Sequence, residues 1–195
     1  MPYDATKAIA TAQAPVGRYK DGECWTLMED AVVGAGGKSS KVLTPKFAPD
    51  ASFVWGAAVS IANLKPGDVL QFSGYKWAQT SVVDTIFVPK DDQNPNTTET
   101  VPGPVEYRGL PQHSAMVVQD ISAGVVDVVE QNIPAVTGPV QTVRLVLIAG
   151  PPKMTSEVME FETAINNVPT KVTRTIRTTT TEIVSFPPKC YRPGA

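Results

Sequence analysis

The side chains of this chain best suited to nucleophilic chemistry are scarce: two cysteines, Cys24 and Cys190, and one histidine, His113, in 195 residues. Cys24 stands in "KDGECWTLMEDAVVGAGG", between a glycine turn at Gly22 and the spacing of Trp25, Leu27, Met28, Ala31 and Val32 that predicts a helix. A thiol at a helix N-terminus meets the positive end of the macrodipole and unsatisfied backbone N–H groups, which favour thiolate. Those N–H groups can also hold an oxyanion. His113, the sole imidazole, is the only candidate imidazole base and opens a predicted strand. In "VVDVVEQN", strand alternation puts Val126, Val128, Glu130 and Asn132 on one face, so an acid and an amide extend an apolar row and can partner an imidazole on the next strand. Each residue also has a plain structural reading: a small buried thiol, a strand-edge histidine and a strand end emerging into solvent. Cys190 has no identifiable base and reads as a bystander.

The elements that must position these groups follow from pattern. Tyr3 to Ala14 predicts a short helix capped by Asp4 and stopped by Pro15, and the helix of Cys24 ends at Gly34, Gly36 and Gly37. From "SFVWGAAV" onward the pattern turns to strands: "LKPGDVLQF" after a Pro-Gly turn, "TSVVDTIFV", "HSAMVVQD", "GVVDVVEQN" and "VQTVRLVLIAG". Residues 89–111 are polar, proline-rich and without period, which predicts a long loop or flap bordering a site. Residues 151–188 form a Thr-rich extension or insertion that alternates only weakly. No firm second domain is visible, so residues 1–195 read as one domain.

Composition narrows the partners. Seventeen basic against nineteen acidic residues leave a net charge of −2 and no basic stripe, so neither nucleic acid nor an anionic membrane surface is expected as a partner. Two distant cysteines and one histidine predict no disulfide framework and no structural metal, and no cofactor motif is present. No apolar run suits a secretion signal or a membrane span. The expected location is the cytoplasm, or outside the cell by a signal-independent route.

Nucleophile at a helix start, base at a strand start and orienting acid or amide on the next strand is the Cys-His-acid arrangement of thiol hydrolases. In this order "GECWTLMEDAV", "LKPGDVLQF", "PQHSAMVV" and "VVEQN" resemble the landmark segments of CHAP domains, the cysteine- and histidine-dependent amidohydrolases and peptidases related to NlpC-type enzymes. The resemblance spans Tyr3 to Val146 and extends to "KCYRPGA", where a final strand closes related domains.

The resemblance implies an α+β, papain-like fold of NlpC/CHAP type, with N-terminal helices packed on an antiparallel β-sheet or partial barrel. It implies Cys24 as nucleophile, His113 as general base, Glu130 as orienting acid and Asn132 as a supporting or alternative third residue. The implied activity is cleavage of an amide or peptide bond, with bacterial cell-wall peptide as substrate. Trp25 and Gln112 are placed to line a groove. The chain departs from the family's pattern where Glu23 replaces the usual glutamine before the cysteine, leaving the oxyanion to backbone N–H groups. It departs again in having Gln112 before the histidine, and in residues 151–188, which have no counterpart. The other reading is a catalytically idle scaffold that acts in binding or structure, with residues 151–188 engaging a protein partner.

Overall fold

The computed structural model describes residues 2–134 and 138–194. Three short helices come first, α1 (Ala5–Gln13), α2 (Cys24–Gly34) and α3 (Ser40–Leu43). Asp4 caps α1, its Oδ1 accepting from the Lys7 N–H at 3.0 Å. The strands that follow are β1 (Ala57–Val59), β2 (Val69–Phe72), β3 (Tyr75–Val88), β4 (Thr97–Arg108), β5 (His113–Ser122), β6 (Val125–Glu130), β7 (Gln141–Val146), β8 (Lys153–Ile165), β9 (Val168–Ser185) and β10 (Lys189–Arg192).

The chain divides into two compact units. The first holds residues up to 77, 106–149 and from 184 onward. Its six-stranded sheet runs β1-β10-β2-β5-β6-β7, with each neighbouring pair antiparallel. Period-two alternation gives this sheet two buried faces. Val69, Met116, Val129 and Tyr191 pack with Ala8 and Ala12 of α1 and with Leu27, Met28, Ala31 and Val32 of α2. Leu70, Phe72, Ala115, Val117, Val126 and Val128 form a second cluster with Tyr75, Leu145, Leu147 and Cys190. The short C-terminal strand β10 lies between β1 and β2, pairing Cys190 with Leu70.

The second unit holds residues 78–105 and 150–183. A four-stranded sheet runs β4-β3-β9-β8. β8 and β9 pair antiparallel from Lys153 opposite Thr180 to Ile165 opposite Val168, turning at Asn166 and Asn167. Both asparagines have positive φ, 53° and 63°, the signature of a two-residue hairpin turn that only residues tolerant of the left-handed region adopt readily.

This architecture corrects two expectations. The papain-like α+β fold is not what the chain adopts: the structure is mostly antiparallel β-sheet in two sheets, with only three short helices among the described residues. Residues 89–111 are not one long loop either, because Thr97–Arg108 is the strand β4. Pro102 and Pro104 argued against a strand there, but β4 is an edge of its sheet, where a missing N–H breaks no ladder. Residues 151–188 hold the long hairpin β8–β9. β8 is exposed almost throughout, so burial imposes no alternation on its sequence.

Candidate functional site

Cys24 is placed by the loop before it. The turn from Tyr19 closes with the Gly22 N–H on the Tyr19 carbonyl at 2.8 Å, and Gly22 holds φ at 83°. Asp21 then takes the role that the helix's own N-cap leaves open: its Oδ1 accepts from the Glu23 N–H at 3.0 Å and its Oδ2 from the Thr26 hydroxyl at 2.8 Å. Glu23 makes no side-chain cap. As the first residues of α2, Cys24, Trp25 and Thr26 have backbone N–H groups without intrahelical acceptors, a ready cradle for an oxyanion.

His113 opens β5 opposite Phe72 of β2, and its ring is tilted against the Phe72 ring at 5.9 Å between centroids. Both neighbours expected from the sequence meet this ring. The Cys24 side chain lies close enough to raise its pKa, and the ring's Nε2–H donates to Glu130 Oε2 at 2.9 Å. His113 is 3% exposed and Glu130 fully buried. Burial by itself would push the imidazole towards neutrality, but the interactions with Cys24 and Glu130 outweigh it and raise His113 to about 9. Burial likewise works against the Glu130 carboxylate, and the His113 bond together with the Arg108 charge hold it below its ordinary value. At neutral pH the ring is therefore an imidazolium, held between Cys24 and the Glu130 carboxylate.

Other expectations resolve differently. β6 ends at Glu130, so the alternating face does not continue to Asn132, which stands beyond the strand at φ 71° with its amide 3.4 Å from Glu23 Oε2. Trp25 lines a groove of about 460 Å³ together with Glu23, Lys41, Phe47, Asp50 and Phe53, and Cys24 between Glu23 and Trp25 is not part of its lining. Trp25 is held there by its Nε1–H, which donates to Ser40 Oγ at 2.8 Å, and Ser40 in turn donates to buried Glu29. Gln112 instead joins a polar chain under the sheet, accepting from Gln71 Nε2 at 3.2 Å and donating to Ser73 Oγ at 3.3 Å.

Two further residues join the site in the fold. Arg108, at the end of β4, donates from Nε to both Glu130 oxygens, at 2.9 and 3.2 Å. Gln131, next to Glu130 and fully buried, donates to the Glu23 carbonyl at 2.7 Å and accepts from the Tyr19 N–H at 3.1 Å. Consecutive residues thus serve the two halves of the pair: Glu130 holds the imidazole and Gln131 the loop that delivers the thiol. A usable signal existed for Gln131, an amide flanking the acid at a strand end. For Arg108, inside a segment read as a loop, there was none.

Cys190 sits apart in the second core cluster, its thiol facing the Pro188 carbonyl at 3.6 Å and pushed up to about 12 by burial and then by Asp68. Among the described residues no group of three His, Cys, Asp or Glu side chains is placed to hold a metal ion, and no helix is long and apolar enough to cross a membrane. No family model matches the chain, and no curated protein matches it significantly.

Proposed function

We propose that this chain is a thiol amidohydrolase acting on a peptide or cell-wall amide, the activity that its likeness to CHAP domains implies. The observation that carries the reading is the line of interacting side chains from Cys24 to His113 and, through a hydrogen bond, on to Glu130. Such a line can run acyl transfer in two halves. The Cys24 thiolate attacks the amide carbonyl, and the carbonyl oxygen, now an oxyanion, is met by N–H groups of the first turn of α2. His113 gives its proton to the departing amine, the C–N bond breaks and a thioester remains. Water, deprotonated by the now neutral His113, then attacks the thioester, releasing the acid and restoring the thiolate and imidazolium. The groove of Trp25, Phe47 and Phe53, lined by both sequence neighbours of Cys24, offers an apolar wall for a substrate.

The test is release of amine from peptide and muropeptide amides by the full chain, with Cys24→Ala as control. Turnover that Cys24→Ala abolishes supports the reading, and turnover that survives it removes the reading. A second reading, an idle scaffold that binds a protein partner through residues 151–188, is favoured by the exposed Met154, Val158, Met159 and Phe161 of β8. It predicts no Cys24-dependent turnover.

A further inference from the structure

A buried guanidinium beside the acid of a thiol site needs a reason, since an unneeded buried charge costs more than it returns. Arg108 is only 7% exposed. Its Nε spans both oxygens of Glu130, its Nη1 donates to the Tyr107 carbonyl at 2.9 Å, and its Nη2 lies 3.8 Å from Glu106. Glu130 is otherwise faced by His113 from β5 and by Gln141 from β7, whose Nε2 donates to Oε1 at 3.3 Å. Beyond the ring lies Cys24, and next to it Glu23. Beyond the guanidinium lie Glu106 and Tyr107, whose ring carries the Lys76 ammonium at 5.6 Å.

Charge and geometry both depend on this clamp. In the form that reacts, with Cys24 as thiolate, the thiolate, imidazolium and carboxylate together carry one net negative charge, and Arg108 brings the buried set to neutrality. Without it, Glu130 would relieve the excess by taking a proton, and a neutral acid no longer stabilises an imidazolium. The double contact through Nε also fixes the carboxylate plane, so that Oε2 is left aimed at the ring.

We propose that Arg108 is a positioning residue of this site, holding Glu130 ionised and aimed so that the carboxylate keeps the His113 imidazolium against Cys24. Its relevance to turnover rests on the thiol-hydrolase reading, but its effect on Cys24 does not. The test is therefore the pH dependence of Cys24 alkylation by iodoacetamide, followed by mass spectrometry in the full chain.

In Arg108→Gln the acid limb of that profile moves up by about one pH unit, a roughly tenfold slower reaction on the limb that converges on wild type at the plateau. Arg108→Lys, which keeps the charge, recovers most of the limb. In a Glu130→Gln background, adding Arg108→Gln moves the limb no further, and this double variant removes both buried charges together, so it tests the coupling even if Arg108→Gln alone fails to fold. A wild-type acid limb in Arg108→Gln, whatever its thermal stability, overturns the proposal. So does an equal shift with and without Glu130, which would mean that Arg108 acts by itself. If the limb moves as stated while no amide is hydrolysed, the clamp stands and the hydrolase reading falls. If amides are hydrolysed and the limb stays, the reverse holds.

Discussion

The two cysteines occupy regions of the same unit that are alike in burial and opposite in electrostatic surroundings. Cys24 and Cys190 are 8% and 4% exposed. Cys190 lies on a strand within an apolar cluster, where both burial and the carboxylate of Asp68 oppose ionisation. Cys24 lies at the first turn of a helix against an imidazolium that Glu130 holds in place. Burial alone therefore does not decide what a thiol does. What decides it is whether the fold supplies a positive partner at the sulfur.

The largest expected effect is the difference in reactivity itself. With its thiol pushed up to about 12, Cys190 is ionised at neutral pH to about one part in 10⁵. Cys24 should alkylate at least about a hundredfold faster near pH 7, measured site by site after iodoacetamide treatment. Similar rates would erase the contrast. Turnover should show the same asymmetry, abolished in Cys24→Ala and kept in Cys190→Ala, and it should fall as pH rises through about 9, where His113 loses the proton that the leaving amine needs.

Next in size is Glu130→Gln. Removing one partner of a buried charge pair leaves Arg108 uncompensated and should cost about 3–5 kcal/mol by denaturant titration, with turnover strongly reduced. Because the folded carboxylate sits below its ordinary value, its stabilisation is full above about pH 4.5 and is lost as pH falls through the depressed value. Wild type should therefore lose stability on acidification more steeply than Glu130→Gln. Parallel acid slopes would place the carboxylate's partners elsewhere.

Gln131→Ala should be milder, about 1–3 kcal/mol, since it leaves the Tyr19 N–H and the Glu23 carbonyl without their amide partner. It should slow Cys24 alkylation by loosening the loop that delivers the thiol, while Asn132→Ala should slow turnover less than Glu130→Gln. The smallest effect belongs to Cys190→Ala, about 1 kcal/mol of lost packing with Cys24 alkylation unchanged. A change at Cys24 on mutating Cys190 would mean that the two environments are coupled.

The sequence by itself determined the local features of the site. The turn at Gly22, the helix of Cys24 and the apolar rows of β5 and β6 are written in nearest-neighbour spacing, because one face of each is pressed into a core. That made Cys24, His113 and Glu130 legible as a set before any coordinates. Only the tertiary structure decided the rest. Asn132 fell out of the predicted row because the strand stops at Glu130 and the chain enters the left-handed region, a choice that alternation cannot announce. β4 and β8 were hidden because exposed edge strands carry no periodic burial, and prolines are tolerated where no ladder bond is lost. Arg108 could be found only by folding β4, since a guanidinium and a carboxylate 22 residues apart become partners through strand placement and not through any local pattern.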